Sequence, residues 1–166
     1  MDKMWKFLLI IFAIVLVDQM TKGAVQQVLR LNESKSLIEG FLYLTFVENT
    51  GGAFGVGGDL HQDIKSYLFN VIPVLFCFYL LFRLWLKRNG PSALVYGYTL
   101  LIAGSLGNWL DRVGPGFVVD FIEIYAFKIK LPAFNIADIS ITLGVMCLIY
   151  YAVKGLSRGY SVSHSD

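Results

Sequence analysis

PSALVYGYTLLIAGSLGNWL, residues 91–110, contains no charged side chain, and the uncharged run reaches back to Asn89. About 20 such residues in a helix are what the hydrocarbon core of a bilayer requires. On either side of it, three more stretches read the same way: roughly Met4 to Lys22, Ser66 to Leu86 and Ile136 to Lys154. The composition agrees, with 56% hydrophobic and 16% charged residues, against about 25% charged in a soluble domain. The expected fold class is therefore a mainly α membrane protein with four transmembrane helices. Its 166 residues form one integral membrane domain, 1–166, with no room for a soluble module beside the spans.

The first span could be mistaken for a signal peptide, because Lys3 and Lys6 precede a short uncharged stretch from Phe7 to Val17. The next residues, Asp18-Gln19-Met20-Thr21-Lys22, offer no small-x-small cleavage site and no lipidation cysteine, so the span reads as an uncleaved anchor. Basic residues set the orientation. Lys3 and Lys6 precede span one, Arg83, Lys87 and Arg88 fill the turn between spans two and three, and Lys154 and Arg158 come after span four. Those regions, and with them both termini, belong in the cytoplasm. The connections from Gly23 to Lys65 and from Asp111 to Asn135 then lie outside.

Both connections carry strand-like sequence. The segment 37–47 is rich in aromatic and β-branched residues and leads into the glycine-rich Asn49-Thr50-Gly51-Gly52-Ala53-Phe54-Gly55; the segment 117–125 also reads as extended. A small β-sheet on the outer side, lying at the interface, is expected from their pairing, above a glycine-lined cleft.

Net charge is +2, too small to imply a nucleic-acid partner. Cys77 and Cys147 fall in apolar runs and read as small buried packing residues. His61 and His164 have no partner at ligand spacing, so neither a metal nor a cofactor is expected.

Four polar constellations remain. Asp18 and Lys22 stand four apart on one helix face, the spacing of an ion pair that would neutralise both near the end of span one. Asn108, Asp111 and Arg112 stack at the end of span three. Gly104 and Gly107 beside them suit close helix packing, whereas Asn108 and Arg112 could bind a carbonyl-rich backbone or a lipid headgroup; an Arg112–Asp111 pair is the competing account. Asn49 to Phe54 reads equally as a plain turn, since glycine supplies backbone conformations others resist, and it lacks the Lys and the α/β context of a phosphate loop.

The fourth constellation is Asp120 and Asp138. Carboxylates in or beside hydrocarbon cost a few kcal/mol, and those retained usually have a task. Asp138, opening span four, could simply cap that helix. Asp120, in the apolar run Val118-Val119-Asp120-Phe121, has no such explanation, although Arg112 or Lys128 could pair with it. If the two carboxylates meet, repulsion in a poorly solvated site raises one pKa and the pair shares a proton, as in aspartic proteases.

Five blocks in register, Asp18-x-x-x-Lys22, Asn49-x-Gly51-Gly52-Ala53-Phe54, Gly104-x-x-Gly107-Asn108-x-x-Asp111-Arg112, Val119-Asp120-Phe121 and Phe134-Asn135-x-Ala137-Asp138, resemble those of lipoprotein signal peptidase, also called signal peptidase II. The resemblance implies an aspartyl endopeptidase of the bacterial inner, or cytoplasmic, membrane. Such an enzyme cuts the signal peptide from a prolipoprotein just before a cysteine already carrying diacylglycerol. It implies Asp120 and Asp138 as the catalytic dyad, a substrate site lined by Asn49, Gly51, Asn108, Arg112 and Asn135, and support from Asp18 and Lys22. The prolipoprotein and membrane lipid are the expected partners, and the chain is expected to act as a monomer. Glu48 and Gly52 depart from the family's usual residues in the first outer loop. A small proton-coupled transporter is the alternative, but its acids would sit at the midplane between repeated halves, and no repeat is visible here.

Overall fold

The computed structural model describes residues 3–52, 55–127 and 129–162. Ala53 and Phe54 of the glycine-rich block, Lys128 as a partner for Asp120, and His164 lie outside the described residues. In chain order the elements are α1 (Met4–Val28), β1 (Ser34–Ile38), β2 (Leu42–Asn49), α2 (Gln62–Ser66), α3 (Ile72–Lys87), α4 (Ser92–Val113), β3 (Val118–Ala126), β4 (Ile129–Lys130) and α5 (Ile136–Val162).

Four helical stretches are long and apolar enough to cross a membrane: Met4–Val28, Asp63–Lys87, Ser92–Val113 and Ile136–Leu156. They agree with the four sequence-derived spans, and each runs a little further. The first span extends past the expected Lys22 to Val28, because Lys22 is buried against α4 rather than held in water at a helix end. The second starts at Asp63 and contains a π-helical turn, Tyr67–Val71, in which the Ile72 N–H donates to the Tyr67 carbonyl. The cause is Pro73, which has no N–H to donate and whose ring would strike the carbonyl four residues earlier. Widening the helix by one residue there relieves both problems.

α4 is the central helix and packs against α1, α3 and α5. Its apolar face joins Phe7 and Ile11 of α1 and Leu80 and Leu84 of α3 in one core cluster. Toward α5 the contact is made by glycines, which let the two backbones approach. A Cβ on Gly97 would sit 2.6 Å from Leu148, one on Gly144 would sit 2.9 Å from Leu101, and one on Gly104 would run into the Ala137 carbonyl.

The two connections do pair, forming a four-stranded antiparallel sheet in the order β1-β2-β3-β4 at one end of the helices. The segment 37–47 holds the turn of a hairpin: β1 ends at Ile38 and β2 begins at Leu42, with Gly40 at φ 74° between them. A left-handed residue is needed to reverse the chain so tightly, and Gly40 supplies it. β2 and β3 are in register at Val47 with Asp120 and at Asn49 with Val118. Phe46, Val119 and Phe121 bury one face of the sheet against Val25 and Leu29 at the end of α1. Asp120 is thereby fixed on a strand anchored to α1, beside the N-terminus of α5.

Candidate active site

Helix α5 begins with a reciprocal cap. Asn135 Oδ1 accepts from the Asp138 N–H at 2.9 Å, and Asp138 Oδ2 accepts from the Asn135 N–H at 3.2 Å. This capping-box arrangement satisfies two otherwise orphaned amides and directs the Asp138 carboxylate at the helix's positive end. A third amide of that first turn, Ala137 N–H, donates to Asp18 Oδ1 of α1 at 2.8 Å. The capping account of Asp138 is thus correct as far as it goes. It leaves Oδ1 free of the helix, and that oxygen accepts from Asn108 Nδ2 at 2.8 Å.

Asn135 also reaches the other carboxylate. Its Nδ2 donates to Asp120 Oδ1 at 2.7 Å and to Asn108 Oδ1 at 3.1 Å, and the residue is wholly buried. Asp120 Oδ2 in turn accepts from Asn49 Nδ2 at 3.0 Å. One asparagine therefore bridges Asp120 and Asp138 while two more hold their outer oxygens. Both carboxylates line a single cavity of about 610 Å³ that continues along Ile139, Thr142 and Leu143 of α5. Burial raises the Asp120 pKa from 3.8 to about 6; the nearby Asp138 charge adds to the rise, while the bonds from Asn49 and Asn135 oppose it.

Behind this layer lies a charged hub. Lys22 Nζ is 2.8 Å from Asp18 Oδ2, 2.9 Å from Asp111 Oδ2 and 3.1 Å from Asn108 Oδ1, with all three acidic and basic groups buried. Because Lys22 and Asn135 both donate to Asn108 Oδ1, the amide of Asn108 can only present Nδ2 to Asp138. Asp18 and Lys22 do form the expected pair, but they also tie α1 to α4 and to the start of α5. The Arg112–Asp111 pair does not form. Asp111 accepts instead from Lys22, from Gln19 Nε2 at 2.8 Å and from the Val119 N–H at 3.2 Å, the backbone position just before Asp120.

Arg112 turns the other way. Its Nη2 donates to the Gly51 carbonyl at 2.9 Å, and its guanidinium lies 5.2 Å from the ring centre of Phe69. Gly51 N–H donates to Asn49 Oδ1 at 3.0 Å, closing a tight turn. A side chain at Gly51 would overlap the Gly55 carbonyl, so the loop needs glycine there.

All the residues singled out from sequence for this site, Asp18, Lys22, Asn49, Gly51, Asn108, Arg112, Asp120, Asn135 and Asp138, fall into one connected network. Three members escaped that reading as site residues. Asp111 was legible as part of a polar stack but not as the anchor of β3. Gln19 sits beside Asp18 with no pattern of its own. Phe69 is one of several phenylalanines in the second span, so nothing marked it.

Fold and site together define a polytopic membrane protein with a hydrogen-bonded carboxylate pair, Asp120 buried and Asp138 half-buried, at one end of its helices. The family model for signal peptidase (SPase) II matches residues 10–154, and the chain belongs to that family of peptidases. It is 34% identical over 140 residues to a lipoprotein signal peptidase of Desulforapulum autotrophicum, covering 84% of this chain and 86% of that protein. It is 39% identical over 150 residues to one of Shewanella baltica, covering 89% and 83%. A solved bacterial membrane enzyme superposes with a TM-score of 0.82 at 34% identity, over 92% of this chain and 90% of that one.

Proposed function

We propose that the chain is an aspartyl endopeptidase that removes the signal peptide from diacylglyceryl-modified prolipoproteins, cutting just before the lipidated cysteine. The observation that carries this reading is the bridging of Asp120 and Asp138 by Asn135 at the head of one cavity. Family membership supports the lipoprotein substrate.

The chemistry needs one base and one acid. Asp138, held by Asn108 Nδ2, the Asn135 amide and the helix dipole, is suited to carry the charge. Asp120, whose pKa is raised to about 6, is suited to hold the proton. Asp138 takes a proton from a water whose oxygen bonds to the scissile carbonyl carbon, while Asp120 gives its proton to the carbonyl oxygen. When the tetrahedral carbon collapses, the C–N bond breaks and the amine of the cysteine leaves with the proton held by Asp138. The oxygen-bound proton returns to Asp120. Water is consumed, one amide becomes an acid and an amine, and the dyad ends as it began.

The cavity explains the lipid requirement. Its apolar wall runs down α5, so the acyl chains can remain in hydrocarbon while the amide meets the carboxylates. Arg112 and Asn49 fix the loop over the cleft. The active site faces the outer side of the bacterial cytoplasmic membrane, and the chain acts as a monomer.

The test is processing of a diacylglyceryl precursor by wild type, Asp120→Asn and Asp138→Asn in cells depleted of their own enzyme. Mobility shift in the wild type alone is expected. Wild-type rates in either variant would remove the dyad assignment, and a precursor left uncleaved by folded wild type would remove the substrate.

A further inference from the structure

A second cavity, of about 280 Å³, adjoins Asp120. Asn49, Asp120, Pro132 and Ala133 line both cavities and form the boundary between them. The rest of the smaller wall comes from Val47, Glu48, Thr50, Gly51 and Gly55, and no residue of any membrane-crossing helix contributes to it. The larger cavity, by contrast, takes Asn108, Asp138 and the apolar flank of α5.

We propose that this smaller cavity seats the first residues of the mature chain, those immediately after the cysteine, and selects small side chains there. The inference rests on the peptidase reading above. A scissile amide at Asp120 has two sides. Both the signal segment and the acyl chains are apolar and remain with the membrane helices, so they belong to the cavity along α5. The released chain is bound for water, and the smaller space adjoining Asp120 is walled by sheet and loop.

The size preference comes from the lining. At 280 Å³ the space lies below the roughly 300–1,000 Å³ of a drug-sized site. Neither glycine can be enlarged to reshape it freely: a Cβ on Gly51 overlaps the Gly55 carbonyl, and Gly55 sits at φ 75°. Val47 is directly opposite Asp120 in the register of β2 and β3, so its side chain stands on the same face of the sheet. Val47 is therefore a side chain of the wall beside Asp120, and truncating it enlarges the space.

The experiment uses purified full-length enzyme in detergent and three synthetic diacylglyceryl precursor peptides. One has serine after the cysteine, one has tryptophan there, and one has serine there but tryptophan in place of the residue before the cysteine. Ratios of kcat/KM are taken within one preparation, so a partly unfolded variant does not distort them. In wild type the tryptophan-after peptide is expected to fall about tenfold or more below the serine peptide. Val47→Ala should recover much of that loss, and Ile141→Ala, in the other cavity, should not. Recovery instead of the tryptophan-before peptide, recovery by Ile141→Ala, or equal rates on all three peptides would overturn the assignment. Failure of wild type on the serine peptide would strike the peptidase reading itself and is distinguishable from all of these.

Discussion

At the scale of single residues, the two carboxylates differ in what holds them, and that difference predicts pH behaviour. Asp120 is nine-tenths or more buried and its pKa is raised to about 6, first by burial and then by Asp138. If it must donate a proton while Asp138 stays ionised, kcat/KM should be level just below pH 6 and fall about tenfold per unit above it, because the free enzyme loses the shared proton there. Asp120→Asn should lower activity by about 10³-fold on the level part of the profile and abolish the limb, so that its deficit against wild type narrows above pH 6; a limb that survives the substitution would belong to another group. Stability gives an independent check. A carboxyl whose pKa is raised on folding stabilises the native state most below its unfolded value and loses that contribution as pH rises through about 6. The melting temperature of wild type relative to Asp120→Asn should therefore decline between about pH 4 and pH 6.5 and then level off, whatever constant offset the lost hydrogen bonds add. Asn135→Ala removes both the helix cap and the bridge; the cap alone is worth about 1 kcal/mol, and activity should drop by more than that stability loss explains when assayed on the folded fraction.

At the scale of elements, the site depends on how closely α4, α5 and α1 approach, and the glycines test this. A Cβ on Gly107 would stand 2.7 Å from Asp18 Oδ2 and 3.1 Å from the Ala137 side chain, so it would push Asp18 off the Ala137 amide that opens α5. Gly107→Ala should cost about 1–3 kcal/mol by overpacking and lower turnover with it. Gly155, on the same helix as Asp138 but with nothing within 4 Å, is the contrast: Gly155→Ala should be neutral or slightly stabilising in thermal unfolding. Equal effects of the two would mean that close approach is not what Gly107 provides. This is also where the sequence stops being readable. The spans, the outer strands and the acidic pair stand out because hydropathy, β-branching and misplaced charge are local signals. The hub is not local: Lys22 bonds to residues 86 and 89 positions away, and Asp111 reaches back to Gln19 and forward to the Val119 amide. Spacing pairs Asp18 with Lys22 but cannot show that the same lysine orients Asn108. Nor could it place the hairpin turn at Gly40, because the aromatic and β-branched residues continue on both sides of it.

At the scale of the molecule, unbalanced positive charge gathers at one end of the helices, and this predicts how the chain sits in its membrane. The end away from the site carries Lys3, Lys6, Arg83, Lys87, Arg88 and Lys154, with no acidic side chain among the described residues. Several of these cations lie over aromatic rings, Lys6 at 5.8 Å from Trp5, Arg88 at 5.4 Å from Trp85 and Lys154 at 5.5 Å from Tyr150. Cations snorkelling beside interfacial tryptophan and tyrosine mark a membrane surface, and an excess of lysine and arginine in short connections marks the cytoplasmic one. The end that holds the sheet is mixed: Glu33, Glu39, Glu48, Asp59 and Asp63 stand there among Arg30, Lys35, Lys65 and Lys130. The site should therefore face outward, where a translocated precursor presents its cysteine. Replacing Cys77 and Cys147 by alanine clears the background for single reporters at two exposed positions, Glu39→Cys and Lys87→Cys. A membrane-impermeant maleimide should label the first in intact spheroplasts and the second only after permeabilisation. The reverse pattern would place the carboxylate pair on the cytoplasmic side, out of reach of any exported precursor, so the orientation and the proposed reaction stand or fall on the same labelling.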